Sequence, residues 1–210
     1  MSEIADFLRV RGNLSVDGAM PPVYRTTLAQ ESSSLFEVPL TILRVWDAFQ
    51  TPIGTAGSDD LGITAGAFGT GTPYVTAGSL GSVGATTRYA RFVYQVPMNY
   101  VAGQDAQFNL LAGITGGAPA AASVSCTLLQ VTYKVGTGGL ITGSNLIASA
   151  ATDMNFTTFV SVPMALTVTT LNPGDWLDSR IAIACNDGTA SAANVVPAIQ
   201  RIQFAASTQG

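Results

Sequence analysis

The chain is 210 residues long, with one lysine (Lys134), three glutamates (Glu3, Glu31 and Glu37), no histidine and a net charge of −4. Charged residues make up 10% of it, against roughly 25% in ordinary soluble domains, so the surface lacks what a free monomer uses to stay hydrated and apart from its neighbours. The same scarcity excludes a histidine-based nucleophilic triad, and a pI of about 4.5 leaves no basic stripe for nucleic acid.

Hydrophobic residues reach 47%, yet no apolar run approaches the ~20 residues of a membrane helix. No membrane span is expected. Met1-Ser2-Glu3-Ile4-Ala5-Asp6 is acidic and has no basic stretch leading into an apolar one, so no secretory signal is expected either.

Residues 1–30 are predicted to be an N-terminal arm, and 31–210 the folded domain. Gly12, Gly18 and Pro21-Pro22 interrupt any regular element in the arm. A disordered tail is one reading. The apolar residues Phe7, Leu8, Val10, Leu14, Val16 and Tyr24 favour another, an ordered arm lying on a neighbouring subunit, because a solvated tail has no use for them.

From Leu35 the texture changes to short strands between turns, with 24 threonines, 22 glycines and 10 prolines. Leu35–Phe49 reads as a strand, with a bulge near Leu43 where the alternation shifts. Residues 50–87 read as a long excursion with short edge strands near Gly62–Ala65 and Tyr74–Ala77. Arg88–Met98 alternates, placing Phe92, Tyr94, Val96 and Met98 on one face. Phe108, Leu110, Ala112 and Ile114 return after a turn at Val101–Asp105, and the two segments read as a hairpin. Ser123–Val135 is the next strand, with a second bulge between Leu128 and Leu129. Asn145–Ser149 is short, and Phe156–Thr170 long. After the Leu171-Asn172-Pro173-Gly174-Asp175 turn, Trp176–Cys185 buries Leu177, Ile181, Ile183 and Cys185. Asn194–Ala205 closes the chain with Ile202 and Phe204 inward.

One segment echoes another. Phe92-Val93-Tyr94-Gln95-Val96-Pro97-Met98 resembles Phe159-Val160-Ser161-Val162-Pro163-Met164, and each is followed by a turn holding Gly and Asp. Two like hairpins separated by two strands suit a double Greek key. Pro97 and Pro163 belong at edges or bulges, since proline cannot donate to a ladder. About eight principal strands give an all-β fold, an antiparallel β-sandwich of the jelly-roll (double Greek key) type with an extended N-terminal arm.

Candidate chemistry is sparse. Lys134, at a strand end, reads as solvated rather than as a general base. The Asp and Glu residues fall mostly in turns, where they bond their own backbone. Asp59-Asp60 matches no known calcium loop. Trp176, Asp178 and Arg180 could make a sugar platform, although a strand edge explains them as well. Cys126 and Cys185 read first as buried thiols, with a disulfide left open. No catalytic residue, metal or cofactor is assigned, and the chain is read as no enzyme. Arg44, Arg88 and Arg91 stand out as scarce arginines on strands, candidates for an interface because arginine is enriched there.

The apolar arm, the Thr/Gly/Ala-rich strands and the pattern Val96-Pro97-Met98…Gly103-Gln104-Asp105, repeated as Val162-Pro163-Met164…Pro173-Gly174-Asp175, resemble jelly-roll virion proteins. In character the chain is similar to the decoration, or cement, proteins on tailed-bacteriophage heads. That resemblance implies a homo-oligomer, often a trimer, bound to the major capsid protein on the capsid surface of the virion and made in the host cytoplasm. It implies no cofactor, nucleic acid or membrane partner. A jelly-roll major capsid protein of a small virus and a carbohydrate-binding sandwich of a fibre or adhesin are the rival readings.

Overall fold

The computed structural model describes residues 32–79, 84–115, 124–148, 150–187 and 195–209. The arm candidates Phe7, Leu8, Val10, Leu14, Val16 and Tyr24 lie outside the described residues. In chain order the strands are β1 (Ser32–Val38), β2 (Gly62–Thr64), β3 (Tyr74–Thr76), β4 (Gly84–Gln95), β5 (Ala106–Ile114) and β6 (Val124–Val135). They are followed by β7 (Ile141–Thr142), β8 (Thr152–Asp153), β9 (Val160–Ala165), β10 (Trp176–Asp187) and β11 (Pro197–Thr208).

Two antiparallel sheets face each other. One runs β2-β3-β11-β5-β9, with β1 also on β11; the other runs β4-β10-β6-β7, with β8 also on β6. The long strands nest in pairs: β1 with β11, β4 with β10, β5 with β9, and β6 with β7 and β8. A chain folded as one long hairpin and then rolled up produces that nesting, which is the eight-strand jelly roll. The short β2 and β3 are additions at one side. Pro163 lies on β9 at the edge of its sheet, where its missing N–H costs no ladder bond.

The core forms where the two inner faces meet. On β5 the expected set Phe108, Leu110, Ala112 and Ile114 is buried, as are Ile202 and Phe204 on β11. Phe108 packs edge-on to Phe92 (centroids 5.5 Å apart) and to Phe204 (5.2 Å). Tyr94 closes the cluster, 5.1 Å from the Phe204 centroid. Burial there pushes its phenol up to about 12.

Several expectations change. The strand from Leu35 stops at Val38, because Pro39 has no N–H to continue the ladder. Pro39 instead accepts the Ile42 N–H and opens a 3-10 turn over Leu40–Ile42, so the shift near Leu43 is a turn and not a bulge. On β6 the register with β10 runs unbroken from Val124 to Val135. The inward set there is Cys126, Leu128, Gln130 and Thr132, two of them polar. Gln130 and Thr132 on the buried face mimic the phase shift that predicts a bulge at Leu128/Leu129, and no bulge is present there. Regular strand after Thr152–Asp153 covers only Val160–Ala165, not Phe156–Thr170. A bulge does occur on β11, between Ile199 and Arg201.

Neither expected hairpin forms. β4 and β5 belong to different sheets, and so do β9 and β10. The echoed segments lie largely in strand, 92–95 at the end of β4 and 160–164 on β9, in different sheets; the corners that follow them, 96–105 and 166–175, run side by side because β4 pairs with β10 and β5 with β9.

The cysteines also depart from the favoured reading of free thiols. Cys126 on β6 faces Cys185 on β10 with Cα atoms 4.1 Å apart, and the two form a disulfide. Cys126 directs its N–H to the Asn155 side-chain carbonyl and its C=O to the Met154 N–H. Those bonds point away from β10, so this is a non-hydrogen-bonded pair, the kind whose side chains approach most closely.

Candidate functional site

The place where the corners after β4 and β9 meet is built by backbone. The Val96 N–H donates to Asp175 O (2.8 Å), and the Gly174 N–H to Val96 O (3.0 Å). Gly174 sits at φ 79°, in the left-handed region that favours glycine. A Cβ at Gly174 would also stand 2.9 Å from Met98 Sδ. Lys134 pins the turn, its ammonium 2.7 Å from Asp175 Oδ2 and donating to Thr170 O at 3.0 Å. Asp175 in turn accepts the Asn172 N–H at 2.7 Å. The lysine is thus a structural clasp on the corner.

An apolar surface gathers around this clasp. Gln95, Trp176, Val135 and Ile141 are cross-strand partners in succession, so they share the outer face of the five-stranded sheet. Trp176 is 48% exposed and Ile141 47%, with Leu140 beside them at 71% and Met98 at 75%. The alternation places Met98 on one strand face with Phe92, Tyr94 and Val96, yet it stands apart from them. The chain leaves β4 at Gln95 and turns at Pro97, which swings Met98 outward; Pro97 was the signal available in the sequence. Leu140 and Ile141, in a Gly-rich turn, drew no expectation.

Farther along the same face lies an arginine–aromatic cluster. Arg91 and Asp178 form a two-point ion pair, with Nε donating to Oδ1 at 2.7 Å and Nη2 to Oδ2. That bond holds the Arg91 guanidinium above its ordinary value. The Arg91 guanidinium also lies over Phe49, 5.1 Å from the ring centroid. Arg180 lies over Tyr89 (4.9 Å) and Trp46 (5.7 Å). The indole N–H of Trp46 is anchored on Asp59 Oδ2 at 3.0 Å.

The three interface arginines do not converge. Arg44 adjoins Arg91 through paired backbone hydrogen bonds, and its guanidinium donates to Thr41 O and Leu43 O. Arg88 reaches the excursion instead, donating to Ser58 O at 3.2 Å and to Ala77 O. Trp176, Asp178 and Arg180 do share one face, but Asp178 is engaged by Arg91. In the excursion, burial and the charges of Asp59 and Asp47 push the Asp60 carboxyl up, and its Oδ1 is buried without a partner. Among the described residues no group of three or more His, Cys, Asp or Glu is placed to hold a metal ion.

No protein-family model matches the chain, and no curated protein matches its sequence. Among solved structures it is similar to the CBM22-1 xylan-binding domain of Paenibacillus barcinonensis Xyn10C, at 11% identity and a TM-score of 0.40 over 83% of this chain and 98% of that one. It is also similar to a carbohydrate-binding module of the β-sandwich superfamily, at 15% identity and a TM-score of 0.35, covering 84% and 57% of the two chains. A third is the enzymatically active domain of bacteriophage CBA120 tailspike protein 4, at 14% identity and a TM-score of 0.33 over 83% of this chain and 19% of that one. Likeness at these levels carries no argument about function.

Proposed function

We propose that this chain is a virion structural protein that decorates and stabilises the outer surface of a phage capsid through contacts with the major capsid protein and with copies of itself. The observation that carries the reading is the exposed corner of Met98, Trp176, Leu140 and Ile141 on a chain with only 10% charged residues. Exposed apolar groups that adjoin one another mark a contact site, and tryptophan is the residue most often at the energetic centre of an interface. The disulfide supports an oxidising destination such as a virion surface. In this reading residues 1–30 engage the neighbouring subunit or the shell, and the assembled unit is a homo-oligomer. Many copies on one shell multiply a modest contact energy.

A second reading, a carbohydrate-binding sandwich, draws on the aromatic cluster of Trp46 and Tyr89 and on Trp176. The neighbours of Trp176 argue against it. Val135, Ile141, Leu140 and Met98 offer carbon and thioether surface, which would leave sugar hydroxyls unpaired.

The test uses heads of the phage that carries this gene, stripped of the protein. The full chain is expected to co-sediment with them. Trp176→Asp should weaken that binding at least about 10-fold, the scale of a lost hot spot. Deleting residues 2–24 should weaken it while leaving the melting temperature in place. Full-strength binding by both variants would remove the proposal. Glycan-array hits that disappear in Trp176→Ala would move the protein to the second reading.

A further inference from the structure

The outer face of the six-stranded sheet carries a knob and a groove side by side. The knob is Phe68, 106% exposed at a loop tip. Its turn is held by the N–H groups of Thr70 (3.0 Å) and Gly71 (2.9 Å), both donating to Ala67 O. Gly69 sits at φ 81° and Gly66 at φ 68°. A Cβ on Gly66 would lie 2.7 Å from Gly71 O. The turn is therefore formed by its own bonds and glycines, and it presents the phenyl ring to solvent without cover from its own chain.

The groove has a volume of about 690 Å³, and Leu40, Ile63, Pro73 and Leu111 supply its apolar lining. Ala65 and Thr72, at the two feet of the Phe68 loop, line its edge. The β11 bulge helps form it: Gln200, at the register shift, donates to Thr72 Oγ1 at 3.1 Å across the rim. Arg201 and Glu37 also line the groove; Arg201 Nε lies 3.2 Å from Glu37 Oε1, and both side chains are about half exposed (55% and 51%).

We infer that the groove receives Phe68 from a second copy of this chain. The ring is fully exposed although the groove is adjacent, so it lies outside its own groove. The groove has room for a phenyl group, whose burial removes about 150–250 Å² from water. Arg201 and Glu37 pair within each copy; with both side chains half exposed, a two-fold that lays the two rims antiparallel lets each Arg201 also meet the Glu37 of the other copy. A knob beside its own groove suits such an isologous contact, in which each copy gives one ring and receives one. This inference rests on the self-association part of the proposed function and names the surface that makes it. That surface lies on the sheet opposite the Trp176 corner, which stays free for the shell.

Sedimentation velocity of the full chain over a concentration series tests it, with Phe68→Asp lacking the knob and Leu111→Arg blocking the groove. The wild type is expected to associate. Each variant should weaken association by about 100-fold or more at unchanged melting temperature, the scale of the two Phe rings that the two-fold contact buries. If Leu111→Arg melts early, Thr72→Trp fills the groove from an exposed position instead. An equimolar mixture of the Phe68→Asp and groove-blocked chains should recover part of the association, because one of the two contacts again joins an intact knob to an open groove. A wild type that is monomeric throughout, undiminished association in the variants, or a mixture without recovery would each overturn the inference. Head binding is measured separately. Heads that bind the full chain while these variants associate normally would sink the groove contact alone; variants that fail to associate beside heads that never bind the chain would sink the capsid reading alone.

Discussion

The inner faces of the two sheets are unlike. The six-stranded sheet presents Phe108, Leu110, Met164, Ile202 and Phe204, all buried and apolar. The five-stranded sheet interrupts its apolar face with Gln130, Thr132 and Ser179, each at 0% exposure. These three form a chain of hydrogen bonds, Gln130 Nε2 to Thr132 Oγ1 at 3.1 Å and Thr132 Oγ1 to Ser179 Oγ at 2.8 Å. Gln130 Oε1 accepts nothing. Six residues from the Thr132–Ser179 pair, on the same two strands, lies the disulfide, Cys126 opposite Cys185. The first face is held by area and shape. The second contributes less apolar area and compensates with a covalent staple and a polar strip whose partners must align. That difference teaches where stability should concentrate and where register is specified, since a slip of one residue would leave three buried polar groups unpaired.

The largest expected break is on the apolar side. Phe108 touches Phe92, Tyr94 and Phe204, so Phe108→Ala should cost about 3–5 kcal/mol in urea unfolding. A loss below about 1 kcal/mol would show that the aromatic cluster is not the mechanical centre. Next comes the staple, which links residues 59 apart in sequence. Cys126→Ala combined with Cys185→Ala, or reduction, should cost about 2–4 kcal/mol; mass spectrometry that finds two free thiols in oxidised protein would remove the basis of that expectation.

The polar strip should respond asymmetrically. Ser179→Ala strips a partner from Thr132 and should cost about 1–3 kcal/mol. Gln130→Met keeps the volume, removes an acceptor that has no partner, and should be close to neutral. Equal losses in the two variants would mean that Oε1 is satisfied by a buried water. The smallest effect lies outside both sheets. The Asp60 carboxyl is held above its ordinary value, so the fold favours its neutral form. Its contribution is fully present at low pH and is lost as the pH rises from the unfolded carboxylate range through the raised value. Asp60→Asn should therefore raise the melting temperature at pH 7, with the gain vanishing near pH 3. A gain that persists in acid would trace to something other than charge.

Alternation made β5, the inward set of β10 and the end of β11 legible, because Phe108, Ile181 and Phe204 each follow the two-residue period of a strand with one buried face. The same rule failed at Gln130 and Thr132, where polar residues occupy core positions and mimic a change of phase. It failed again at Met98, where Pro97 turns the chain before the pattern ends. Of the candidate site, Trp176 was readable as a strand-edge aromatic. Its neighbours Leu140 and Ile141 were not, since they reach it only through the pairing of β7 with β6. Arg91 and Asp178, 87 residues apart, share no local signal.

Taken alone, the 210 residues determined that the chain is all-β, roughly where its strands run and which side of most of them is apolar, because those properties come from backbone preferences and a period of two residues. Only the tertiary structure decided that the turns after the echoed segments are adjacent corners between the sheets and not hairpin loops, that Cys126 meets Cys185, and that a knob stands beside a groove. Pairing between distant strands is settled by the summed burial of two whole faces against the entropy of closing long loops, and no window of sequence carries that sum.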